Sequence, residues 1–196
     1  AVGYGALSTD DLGSQSVALG RNALGAQNYA SATNSLNTAV GYEAGLSVTT
    51  GVNNTLIGGQ AGDALTDADF NVALGYAALS SDTLGSKSVA IGVQALVSQN
   101  FTGASDVFNV AIGHQAGIAV TTGTLNTFIG GLAGSGNTSG AKNVFIGPST
   151  GVGTVTGSEN VGIGNEALKD LTSGTGNTAI GETAGANIQG GSNNVV

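Results

Sequence analysis

Glycine returns on a fixed beat along this chain, and that beat limits the possible folds more than any other feature. Gly3, Gly20, Gly41, Gly58, Gly75, Gly92, Gly113, Gly130, Gly147, Gly164 and Gly181 mark out eight 17-residue steps and two 21-residue steps. Each sits at the fifth position of a nine-residue phrase. The phrase reads NTAVGYEAG at 37–45 and returns as NTLIGGQAG, NVAIGHQAG, NTFIGGLAG and NTAIGETAG. A short period held over a whole chain marks a solenoid, in which each unit packs only on its neighbours. Residues 1–196 therefore read as a single repeat array of eleven phrases, with a twelfth beginning at Asn194.

A longer period lies over the short one. Residues 1–72 match residues 73–144 at 38 of 72 positions, and the two 21-residue units occupy the same place in both blocks. Duplication of a four-coil block accounts for this. Ala1 enters in the middle of a phrase and Val196 leaves inside another, with no atypical repeat at either end. Solenoids cover their exposed ends with capping repeats, so the expectation is a window from a longer protein.

Composition removes other classes. The chain holds 35 Gly but one Pro, Pro148, and has no Gly-X-Y period, which excludes a collagen helix. Only 8% of residues are charged and 40% are apolar, unlike a disordered segment. Abundant Val, Ile and Thr favour strands. The net charge is −8, with Arg21, Lys87, Lys142 and Lys169 as the only cations. A nucleic-acid surface needs clustered cations, so no nucleic-acid partner is expected. No apolar run approaches the ~18 residues of a helical membrane span, and no membrane insertion by this segment is expected. Cysteine is absent, so there is no disulfide framework to read.

Within the phrase, position 4 is always Val, Ile or Leu, and position 2 is Thr or Val in every complete unit. Residues two apart share a strand face. On hydrophobicity, positions 2 and 4 are expected to face inward, with Val40 and Ala44 on a narrow core. Position 3 is Ala except at Leu56, Phe128, Phe145 and Gly162. It is expected to face outward, against other chains. Each coil then reads as a short strand, a Gly turn, a second short strand and a polar return. The return often ends in Gly-x-x-Asn, as at Gly51–Asn54 and Gly123–Asn126, where Asn suits a turn or a stacked ladder. One buried aliphatic contributes about 1.5–3 kcal/mol, against about 1–2 kcal/mol per ordered backbone residue. So thin a coil needs neighbours above, below and beside it, which points to an oligomer.

The stretches SVALGRNALG, SVAIGVQAL, NTAVGYEAG and NVAIGHQAG resemble head repeats of YadA-type trimeric autotransporter adhesins. Units with TTG before NT resemble repeats of phage tail fibres, including fibres that end in an endosialidase-type intramolecular chaperone. The resemblance covers the whole chain, although the adhesin units are shorter. It implies an all-β, left-handed parallel β-roll (a β-solenoid, here with 17-residue coils) with three chains side by side as a homotrimer. It also implies a structural and adhesive role without catalysis, on a virion tail fibre or a bacterial cell surface, attaching to a host or surface receptor, glycans included.

No chemistry-bearing constellation competes with this reading. The only histidine, His114, occupies position 6, where other coils carry Tyr42, Gly59, Tyr76, Val93 or Gly131. Asp67, Asp69 and Asn71 open like a calcium loop, but Val72 stands where such a loop needs Gly and Ala78 where it needs Glu. No phosphate-binding glycine motif is present. No catalytic residue, metal or cofactor is assigned. The two long units carry Tyr29 and Phe101 at the same offset, and these are the candidate surface-binding loops, with packing at a seam between chains as the competing role. Two alternatives follow. The first is a β-solenoid that binds carbohydrate or ice through Thr and Asn columns, set against the irregular Thr/Val alternation at position 2. The second, lacking any cationic or histidine-based site, is a polysaccharide-active enzyme on a β-helix.

Overall fold

The computed structural model describes residues 1–196 and is all-β, with no helix. Positions 2–4 of each phrase form a three-residue strand, from Val17–Leu19 and Thr38–Val40 through to Thr178–Ile180. Ten such strands stack in coil order into one parallel sheet. Single bridges from Val2 to Leu19 and from Thr178 to Val195 continue it into the first and twelfth coils. The register is constant, so every position lies on its own equivalent: Ala90 pairs with Ala111, Ala111 with Phe128, Phe128 with Phe145. The chain is thus a β-solenoid whose coils follow the 17-residue period of the sequence. The two longer coils add one small parallel pair each, Gly13–Ser14 with Thr33–Asn34 and Gly85–Ser86 with Ser105–Asp106.

The anchoring glycine is fixed by two separate demands. At position 5 its φ lies between +127° and +140°, which L side chains rarely adopt. A Cβ built on Gly41 would also stand within 3.0 Å of the Gly58 carbonyl in the next coil, and the same holds from Gly3 to Gly164. These glycines form a spine along which the coils approach more closely than any side chain permits.

The expected second strand is absent. Positions 7 and 9 are left-handed, as at Glu43 (φ 57°), Gln94 (φ 57°), Leu24 (φ 49°) and Leu96 (φ 51°). Alternating left-handed residues fold 5–9 into consecutive tight turns instead of an extended run. The residue before position 1 is left-handed too, as at Phe70 (φ 59°) and Lys87 (φ 65°), and it turns the chain into the next strand.

The strand faces are also the reverse of expectation. Position 3 is buried in every strand, from Ala18 to Ala179, while positions 2 and 4 are half-buried or exposed. Ala44 and its position-8 equivalents face the core as expected, but Val40 does not. The reason is width. A three-residue strand turns its middle side chain to one face and its two flanking ones to the other, and so short a coil has room inside for one side chain per strand.

The interior is filled by positions 3, 8, 9 and 12, and positions 3 and 9 of one coil are never both large. Where position 3 is large, at Leu56, Phe128 and Phe145, position 9 of the same coil is Gly62, Gly134 or Gly151. A Cβ on any of these glycines would strike the large side chain within 3.0 Å. Where position 9 is Leu, as at Leu24, Leu79, Leu96 and Leu168, position 3 is Ala or Gly. Phe128 and Phe145 stack with centroids 5.6 Å apart. This gives the close packing of an ordinary core in a very narrow tube.

Candidate functional surfaces

Inside the tube, position 1 builds an asparagine ladder, interrupted at Ser16 and Ser88. The Asn143 side-chain carbonyl accepts the Asn160 backbone N–H at 3.0 Å, and its amide donates to the Gly157 carbonyl at 2.9 Å. The same two bonds recur at Asn37, Asn54, Asn109, Asn126, Asn160 and Asn177. At Asn71 the accepted N–H is that of Ser88. Each Asn therefore joins the next coil to the end of its own return. These residues are fully buried from Asn37 to Asn177. An Asn column is accordingly a feature of the interior and not of a ligand-facing surface.

The ladder is rebuilt where the coil lengthens. Coils 2 and 6 carry Ser16 and Ser88 at position 1, and both lead into a 21-residue unit. In the second block, Gln99 is buried beside Ser88. Its amide donates to Asp82 at 2.6 Å and to Ser88 Oγ at 3.1 Å, and its carbonyl accepts the Asn109 amide at 2.9 Å. Asp82, fully buried, also accepts the backbone N–H groups of Gly85 and Phe101. The first block repeats the arrangement with Asp10, Gln27, Ser16 and Asn37. Sequence reading missed this layer. Its signal was the coincidence of Ser at position 1, Asp and Gln at successive occurrences of position 12, and the longer coil.

The two aromatic candidates fare differently. Tyr29 is turned inward, only 5% exposed. Its hydroxyl donates to the Gly51 carbonyl at 2.7 Å and accepts the Asn37 amide at 3.3 Å. Burial pushes its phenol pKa up. Within one chain, Tyr29 is thus a core residue of the longer coil and offers no ring to solvent. Phe101, without a hydroxyl to place, remains half-buried, with its backbone held by Asp82 and Leu84. The tips of the longer coils expose small residues: Ser31, Ala32, Thr102, Gly103 and Ala104.

The remaining polar candidates do not converge. His114 stands exposed at the position-6 corner. Asp67 accepts Thr50 Oγ1 at 2.6 Å, Asp69 accepts the Val52 N–H at 2.7 Å, and Asn71 is committed to the ladder. No group of three His, Cys, Asp or Glu side chains comes together anywhere. Asp63 is half-buried with Oδ1 unpartnered, and burial raises its pKa. A shallow groove crosses coils 1–3, bordered by Gly5, Thr9, Asn22, Gly25, Leu46 and Ser47, with no titratable side chain.

A further distinctive surface is the outer face of the sheet. Position 4 forms an aliphatic column from Val2 to Ile180, beside a Thr/Val column at position 2. Exposed Leu36, Phe70, Phe108 and Leu125 flank it at the strand entry. Comparisons with protein-family models, with curated proteins and with solved structures find no match to this chain.

Proposed function

We propose that this chain is a rigid segment of an attachment fibre, three copies of which pack side by side through the outer faces of their sheets. The observation that carries the reading is the apolar column on that face. Val17 is 53% exposed and Ile112 37%, within a strip that runs the length of the solenoid. A continuous apolar strip of that extent is unusual on a monomer and marks an interface. The contact assigned to position 3 on sequence grounds moves to positions 2 and 4, because position 3 fills the tube. Resemblance to YadA-type heads and phage-fibre repeats supports the trimer, the left-handed coil and a place on a virion tail fibre or a bacterial surface. The role is spacing and attachment to a host or surface receptor, without catalysis. With stacked strands about 4.8 Å apart, twelve coils span on the order of 55 Å.

Sedimentation and light scattering test the assembly. The expected species is an elongated trimer of 18.8 kDa chains. Ile112→Glu with Ile129→Glu, both on the outer face, should give monomers with an unchanged far-ultraviolet spectrum. A wild-type chain that stays a monomer over the micromolar range overturns the reading.

A further inference from the structure

Position 6, the exposed corner just after the glycine spine, carries a second rhythm that the scaffold does not require. Coils 1, 3, 5, 7 and 9 place a ring there: Tyr4, Tyr42, Tyr76, His114 and Pro148. Coils 2, 4, 6 and 8 place none: Arg21, Gly59, Val93 and Gly131; the alternation ends there, with Asn165 and Glu182 in coils 10 and 11. The tyrosines are open to solvent, Tyr4 at 81%, Tyr42 at 48% and Tyr76 at 56%. Two of the positions between them, Gly59 and Gly131, leave room. A Cβ on Gly59 would meet only the edge of Tyr76 at 3.6 Å and the Tyr42 carbonyl at 4.0 Å, and one on Gly131 would meet nothing within 4 Å.

We infer that this ladder is a binding site for an extended, near-neutral β-1,4-linked polysaccharide lying along the solenoid axis. Rings two coils apart recur at about 10 Å, twice the spacing of stacked strands. An extended β-1,4 ribbon turns the same apolar sugar face to one side at every second residue, so its repeat and the ladder's are alike. Sugar C–H groups pack on an aromatic face, and an intervening sugar fits over the gap at Gly59.

Hydroxyl groups need polar partners, and position 7 supplies two polar pairs beside the rings, on either side of Ala77. Gln94 and Gln115 are joined at 2.9 Å and Glu43 and Gln60 at 3.5 Å, all half-buried along the same edge. Arg21 lies 5.9 Å from the centre of the Tyr42 ring and adds a cationic donor. A net charge of −8 disfavours a polyanion. A polyproline II peptide has a similar pitch, about 9.3 Å per turn. It docks in aromatic-walled grooves, whereas this is a ridge edged by amides.

Sugar binding at the ladder deepens the attachment role proposed above and rests on it for its biological meaning. Assembly and sugar binding are measured separately on the full chain, so either can fail alone. The chain has no Trp, and three of its four Tyr lie in the ladder, so tyrosine emission reports on the site itself. Titration with cellohexaose should give a saturable change. Tyr42→Ala with Tyr76→Ala should weaken binding about tenfold or more, and Tyr42→Phe should retain it. Gly59→Glu fills a gap at a backbone outside the left-handed region and should abolish binding with every ring in place. Circular dichroism and sedimentation confirm that each variant is folded and assembled as the parent. The inference is overturned by no saturable binding, by equal binding of the coiling α-1,4 maltohexaose, by tighter binding of oligoproline, or by indifference to Gly59→Glu.

Discussion

At the scale of single residues, the ladder asparagines do more for this fold than their neighbours in the phrase. Removing Asn143 would strand the Asn160 N–H and the Gly157 carbonyl inside the tube. Each unsatisfied buried group costs about 1–3 kcal/mol, so Asn143→Ala should lower stability by about 2–4 kcal/mol in denaturant titration. Asn143→Ser should be nearly as harmful, although Ser16 and Ser88 occupy the same position natively. Those serines are tolerated because Gln27 and Gln99 reach in from longer coils, and the coil of Asn143 has no such residue. Asp63 gives a case of the opposite sign. Burial raises its pKa and leaves Oδ1 unpartnered, so the folded state holds its proton more tightly than the unfolded chain. Its contribution is favourable at low pH and is lost as pH rises through the raised folded pKa. Asp63→Asn should therefore stabilise the protein at pH 7, by less than about 1 kcal/mol given its exposure, with the gain vanishing below the normal carboxylate range.

At the scale of the coil, positions 3 and 9 are never both large, and that rule can be tested by exchange. Ala73→Leu alone overpacks against Leu79, at a cost of about 1–3 kcal/mol. Leu79→Gly alone leaves a cavity, at a cost of about 2–5 kcal/mol. Together they recreate the Leu56–Gly62 combination of the preceding coil, so the double variant should recover most of the loss, with a coupling of about 2 kcal/mol or more in a double-mutant cycle. Period, parallel stacking, the glycine spine and the Asn column were legible in the sequence, since each is a residue type repeating at one phase. Which strand face turned inward was misread, because hydrophobicity was weighed without width. Ile and Val at position 4 are the most apolar residues of the phrase, yet they share a face with position 2, and the tube takes only the single middle side chain of each strand. The decisive signal was present: Leu56, Phe128 and Phe145 each coincide with a glycine at position 9 of the same phrase. The inward turn of Tyr29 was hidden for a different reason, since it depends on the Gly51 carbonyl from the following coil, and no local pattern predicts that bond.

At the scale of the whole molecule, a solenoid carries coupling only between adjacent coils, so the place of a lesion decides how the array comes apart. The Asp82 layer sits at the junction of coils 5 and 6 and binds three partners from both: the Gly85 and Phe101 N–H groups and the Gln99 amide. Asp82→Ala leaves all three donors buried without that acceptor. A uniform array would meet the lesion locally and then continue stacking on either side. The expected outcome is loss of cooperativity: one denaturation transition becomes two, with the coils before and after the junction unfolding separately. Hydrogen exchange should show the amides of Gly75, Gly92 and Gln94, which donate across neighbouring coils near the junction, losing protection first. Amides in coils far from the junction, such as Asn160 and Val161, should keep theirs until the second transition. A single transition merely shifted to lower denaturant would mean that the ladder and glycine spine alone hold the array together, and that the polar layers only close the longer coils.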